Sequence, residues 1–288
     1  MSEKPPQKEI KIPQADRLIG IAKETGDSLD QLQKAIKNLH EIHGAKKIQD
    51  LELEKTDKDL KIINFVQESI KNLLKKYGRD VNNTPNNNIH VLKNNGTGKY
   101  TGGRLYTGAQ SATQGSVLVD RQKSDAKFAT ILFHELLHNK SFKVLQITEG
   151  EKPKLEPYRS GFAITTRDGE MVYFHDIEEA IIQLLTMRFY AENILNNEMF
   201  ELNEPFEFSR QKEMKKLEQL IDELWENNRS DFKSREEIEE LFINAQINGR
   251  LLPVARLIEK TFGKGSFRAI GKDVGHEDNE EDLNKKIQ

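Results

Sequence analysis

Residues 124–140 read SDAKFATILFHELLHNK, and at their centre stand His134-Glu135-Leu136-Leu137-His138. Ser124 or Asp125 is placed to cap a helix start, and Phe128, Ile131, Leu132, Phe133, Leu136 and Leu137 make that helix apolar nearly all round. On a helix, positions i and i+4 project from one face, one turn apart. His134 and His138 can therefore converge on a single tetrahedral zinc. Glu135 lies about 100° round the helix from His134, so it can reach the reacting water without ligating the metal. A buried helix carrying two imidazoles and a carboxylate needs partners for those groups, and a metal ion supplies them. The expectation is a zinc hydrolase. A di-iron bundle would need a second Glu-x-x-His pair on another helix, and no other Glu is followed three residues later by His.

Outward from this helix the chain reads in zones. Upstream, Thr56 is a plausible N-cap for a helix carrying Leu60, Ile63, Val66, Ile70, Leu73 and Tyr77, closed by Gly78. Short β-like runs follow at Ile89–Leu92, Arg104–Thr107 and Ser116–Val119. At the glycine-rich NNGTGKYTGG (94–103) between the first two, the preceding Lys93 and Tyr100 stand where a phosphate loop needs Gly and Ser or Thr, so the stretch reads as a connection. Downstream, Gly161–Thr166 and Glu170–Phe174 read as a hairpin through Arg167-Asp168-Gly169. A helix from about Asp176 to Leu195 comes next.

Further out, Leu29, Leu32, Ile36 and Leu39 mark an N-terminal amphipathic helix ending near Gly44, and His40 and His43 read as surface residues on it. In the C-terminal part, Met214, Leu217, Leu220, Ile221, Leu224 and Trp225 mark one helix. Ser234 with Glu237 forms a capping box for another, and Leu251 to Phe262 is the last. The expected organisation is a helical extension over 1–55, a catalytic domain over 56–203, a helical subdomain over 204–271 and a charged, disordered tail over 272–288.

Composition narrows the function. Lys+Arg 44 against Asp+Glu 47 gives a net charge of −3, which argues against a nucleic-acid partner. No apolar run approaches the roughly 18 residues of a membrane span, and the first residues, MSEKPPQKEIKIPQ, lack the apolar core of a secretory signal. The absence of cysteine excludes disulfides and thiolate metal sites. A cytoplasmic protein acting on a peptide or protein substrate is the expectation.

A zinc catalyst needs a third protein ligand and an open fourth position. After His138 the next histidine is His175, and Asp176, Glu178 and Glu179 open the following long helix. A Glu there can complete the site, although Asp176 with Glu179 also fits a capping box. At this point HELLH, the strand before it and the hairpin leading into DIEEAIIQLL (176–185) resemble the gluzincin metallopeptidases, most closely the minigluzincins, over roughly residues 57–200. The resemblance implies an α+β zincin-like fold. It has a small, mostly antiparallel sheet, an active-site helix and a glutamate helix, with helical additions at both ends. It also implies a zinc metalloendopeptidase in which Glu135 is the general base. Laid on the clan's second-helix pattern, Ala180 makes Glu179 the third ligand, with Glu178 the alternative one residue earlier. Gln183 stands where an acid usually holds a metal-bound histidine, and Glu178 where Asn is usual. The Ser116–Val119 run resembles the clan's edge strand, along which an extended peptide could pair.

The developing oxyanion needs a donor beside the metal. Tyr173 and His175, alternating on the run into the glutamate helix, are candidates, as are Tyr158 and Arg159. Two rivals stand beside the peptidase. One is a metal-stabilised, catalytically weak or inactive domain whose helical ends mediate protein interaction. The other is a regulatory peptidase that cleaves a single partner protein.

Overall fold

The computed structural model describes residues 16–19, 46–101, 107–111, 115–147, 155–167, 171–202, 206 and 208–272. The expected helix over Leu29–Leu39 with His40 and His43, the Asp168-Gly169 turn and the tail after residue 272 lie outside them. In chain order the elements are β1 (Arg17–Ile19), α1 (Lys46–Gln49), α2 (Asp57–Lys76), β2 (Ile89–Leu92), α3 (Gly96–Tyr100), β3 (Gly108–Ser111), β4 (Ser116–Asp120) and α4 (Asp125–Lys140). Then come β5 (Lys143–Ile147), β6 (Leu155–Ser160), β7 (Ala163–Thr165), β8 (Val172–Tyr173), α5 (His175–Phe189), α6 (Gln211–Asn227), α7 (Arg235–Asn248), α8 (Leu251–Phe262) and α9 (Ser266–Gly271).

Local chemistry starts the two helices that frame the site. Thr56 Oγ1 accepts from the backbone N–H of Asp59, and Asp59 Oδ2 accepts from the N–H of Thr56, a reciprocal box that begins α2. Ser124 Oγ accepts from the N–H of Lys127 and begins α4. Arg121 lies between the two starts, 2.8 Å from Asp59 Oδ1 and 2.5 Å from Asp125 Oδ1, so one guanidinium ties both N-termini together. α4 buries Phe128, Leu132, Phe133, Leu136 and Leu137, as its all-round apolar surface requires. Phe133 stacks on Phe189 of α5 at 4.1 Å between ring centroids, which sets the two site-bearing helices side by side.

The architecture is α+β, and the described strands form two small sheets where one was expected. One has the order β2-β4-β3, with β2 and β4 parallel and β3 antiparallel to β4. The other has the order β1-β5-β6-β7-β8, antiparallel except for the β1–β5 pair. This corrects the reading of Ser116–Val119 as an edge strand. Those residues belong to β4, which is central and fully buried, and the edge strands are β2 and β3. Of the run expected over Arg104–Thr107 only Thr107 is among the described residues; its carbonyl accepts from the N–H of Asp120, and β3 starts at the next residue, Gly108. β5 and β6 were not anticipated.

Two capping expectations also change. α5 starts at His175 after Phe174, which adopts φ 63°, and Asp176 pairs with Lys216 instead of capping. Glu237 accepts from the N–H of Lys233, and Ser234 makes no side-chain cap bond. The C-terminal helices share the main core: Ile63, Phe133, Ile181, Leu224, Phe242 and Ile258 belong to one buried cluster.

Candidate metal centre

α4 and α5 bring together His134, His138 and Glu179, whose ligand atoms all lie within 4.8 Å of one another. The two imidazole Nε2 atoms are 3.1 Å apart. Glu179 Oε2 is 3.6 Å from His134 Nε2, and its Oε1 is 3.7 Å from His138 Nε2. Oε2 is buried and makes no hydrogen bond, although Arg210 Nε lies 3.1 Å away. His138 is 5% exposed and Glu179 8% exposed, so water screens neither well.

The outward ring nitrogens fix what the inward ones present. His138 Nδ1 is 2.7 Å from Glu178 Oε1, a carboxylate oxygen that can only accept, so Nδ1 carries the proton and Nε2 faces the cluster. His134 Nδ1 lies 3.5 Å from Thr186 Oγ1, whose own hydroxyl donates to the carbonyl of Ile182 at 2.8 Å, so Nδ1 is the donor there as well. The Nε2 atoms of both imidazoles and the Glu179 carboxylate then face one place. A metal cation that displaces any proton on Nε2 would satisfy all three, and two nitrogens with one oxygen suit zinc or a neighbouring transition metal better than magnesium or calcium. The three residues therefore fit a metal ion.

Charge follows the same geometry. Burial drives the Glu179 carboxyl up, but His138, His134 and Arg210 outweigh it and hold the group below the usual carboxylate range. Burial drives His138 down, while Glu178 and Glu179 more than reverse it and push it up to about 10 without metal. Glu135, half-buried beside the pair, is raised by burial against the pull of both histidines. Its side chain rests against β3. A Cβ on Gly108 would meet Glu135 Oε1 at 2.6 Å, so glycine there leaves room for the carboxylate.

The other expected site residues fall in different places. His175 is exposed at the start of α5 and forms a second donor group with Glu178 and Glu179 within 4.8 Å. Glu178 is already committed to His138, so the first group is the better metal centre. Tyr173 sits on β8, paired with Ile164 and bridged to Lys272. Tyr158 lies on β6. Arg159 donates to the carbonyls of Gly161, Gly249 and Ala245, which makes it a clamp between β6 and the C-terminal helices. Gln183 is buried with its Oε1 3.5 Å from Ser209 Oγ. The histidine supports are thus Glu178 and Thr186. Thr186 and Arg210 were not anticipated, since neither stands in a motif and both arrive through long-range packing. No family model, curated protein or solved structure matches the chain.

Proposed function

We propose that the chain is a zinc-dependent metalloendopeptidase of gluzincin type on a zincin-like fold, hydrolysing peptide bonds in a peptide or protein substrate. The observation that carries this reading is the convergence of His134, His138 and Glu179 with Glu135 beside them, against a sheet edge. His134, His138 and Glu179 would hold the ion. Zinc, when bound, polarises a carbonyl and acidifies water. Glu135 takes the proton of the attacking water and delivers it to the leaving amine. Its raised affinity for protons suits both halves of that transfer. Among the described residues nothing pairs with β3 on the side away from β4, and an extended substrate pairing there would lie across Glu135. Of the four candidate oxyanion donors, His175 is exposed at the start of α5 with a ring nitrogen within 4.8 Å of a Glu179 oxygen, which places it beside the ion.

Glu135→Gln keeps shape and hydrogen bonding while removing the base. Zinc content and melting temperature should stay near wild type, while hydrolysis of a peptide mixture falls by about 10²–10⁴-fold. Loss of zinc in this variant would make Glu135 a structural residue, and full activity would place the reaction elsewhere.

One observation favours a metal-stabilised interaction domain instead: Arg210 lies 3.1 Å from Glu179 and already offsets the charge of the third donor. A wild-type protein that holds zinc and cleaves no peptide would support that reading.

A further inference from the structure

Gln246 lies on α7, more than a hundred residues beyond His138, yet it is fully buried at 0% exposure beneath the metal centre. Its side chain meets α5, the residue after α4 and the turn between β6 and β7. Nε2 donates to Glu178 Oε1 at 3.2 Å and to Ser141 Oγ at 2.9 Å, and Oε1 accepts from the backbone N–H of Phe162 at 2.9 Å. Its main-chain carbonyl accepts from the N–H of Phe142 at 3.1 Å.

The orientation of the amide is not arbitrary. A backbone N–H can only donate, so Phe162 requires the oxygen of Gln246 and turns the NH2 toward Glu178. Ser141 agrees, because its hydroxyl donates to the carbonyl of Leu137 and leaves its oxygen to accept. Glu178 Oε1 therefore receives two hydrogen bonds, from Gln246 and from His138 Nδ1. Room for the amide comes from Gly161, which adopts φ +56° and where a Cβ would lie 2.1 Å from Gln246 Nε2.

We infer that Gln246 is a positioning residue of the metal centre, which holds the Glu178 carboxylate on His138 Nδ1 and so keeps His138 Nε2 aimed at the metal. Glu178 also has an oxygen within 4.8 Å of donor atoms of His175 and Glu179, and the Gln246 amide is fixed on the same Oε1 that meets His138. The helical segment beyond the glutamate helix thereby becomes part of the site. This inference rests on the metal reading of His134, His138 and Glu179.

The test is the zinc affinity of the full-length protein, measured by competition with a chromophoric chelator, with zinc alone as ligand. Gln246→Met keeps the length of the side chain and removes both donors. It should weaken zinc binding about 10-fold, the lower end of the range for partners of metal ligands. In a Glu178→Ala background, which has no acceptor for either Gln246 or His138 Nδ1, the same substitution should change zinc affinity less than 2-fold, because its route to the metal is already cut. An equal loss in both backgrounds would make Gln246 a packing residue and overturn the inference, as would an unchanged affinity in Gln246→Met alone. If Gln246→Met does not fold, Gln246→Glu keeps the volume and the acceptor for Phe162 but sets a second carboxylate against Glu178. It should weaken zinc binding about 10-fold relative to wild type and less than 2-fold in the Glu178→Ala background, and an equal loss in both would overturn the inference. The metal reading fails separately, if the wild type binds no zinc or if His138→Ala leaves binding intact.

Discussion

Glu178 and Glu179 are neighbours in the chain with different partners. Glu179 faces both imidazole Nε2 atoms, whereas Glu178 grips the back of His138 at 2.7 Å. Glu179→Ala should remove a ligand and cost zinc more than 100-fold, and Glu178→Ala should cost about 10- to 100-fold through a misaligned imidazole. Chelator competition on both variants gives the order, and a larger loss in Glu178→Ala would exchange the two roles. Sequence spacing could put either residue on the inner face but could not separate them, because adjacent helical positions differ by about 100° and both are buried here. HELLH was legible because its chemistry is local, within one turn of one helix. Thr186, Arg210 and Gln246 reach the site from 52, 31 and 68 residues away from the groups they touch (His134, Glu179 and Glu178), and no spacing rule encodes such contacts.

At the scale of elements, β3 shows what propensity cannot reveal. Its residues, Gly108 to Ser111, include no β-branched or aromatic side chain, and the segment is extended because it pairs with β4. β2 and β4 have apolar, branched residues and were legible in place. β6 contains Pro157, and β5 against β6 carries a register shift between Val144 and Leu145, so neither shows clean alternation. The close approach of β3 to α4 gives a prediction. Gly108→Ala would place a methyl group 2.6 Å from Glu135 Oε1 and 2.9 Å from Ile131 Cγ2, so Glu135 must move. Peptide hydrolysis should fall at least 10-fold, since misplaced catalytic groups lose rate steeply. Zinc content should not change, because neither histidine is touched. Elemental analysis beside a peptide assay checks this, and a variant with wild-type turnover would show that the carboxylate position is not critical.

For the molecule as a whole, the proposed metal binding and folding are linked through protons. Among the described residues no helix is long and apolar enough to cross a membrane, and one core runs from α2 to α8. Opening that core exposes His138 to water and takes it away from Glu178 and Glu179. Its affinity for protons is raised in the folded metal-free protein, from 6.5 to about 10. A raised value stabilises the fold fully below about pH 6.5, and that stability is lost as pH climbs toward 10. Lys140 and Lys143, pushed down by burial from 10.5 to about 8, act in the opposite sense between those values. The His138 contribution is therefore the difference between wild type and His138→Gln, both metal-free. That difference in melting temperature should shrink steadily from pH 6.5 to 9. Zinc reverses the trend, because a metal on Nε2 must displace the extra proton and so binds more tightly as pH rises. The rise in melting temperature on adding zinc should grow over the same interval in wild type and be absent in His138→Gln. Scanning fluorimetry across that range, with and without zinc, measures both. A zinc-induced shift that is flat with pH would mean that His138 carries no displaceable proton, and that Glu178 and Glu179 do not hold it as the distances indicate.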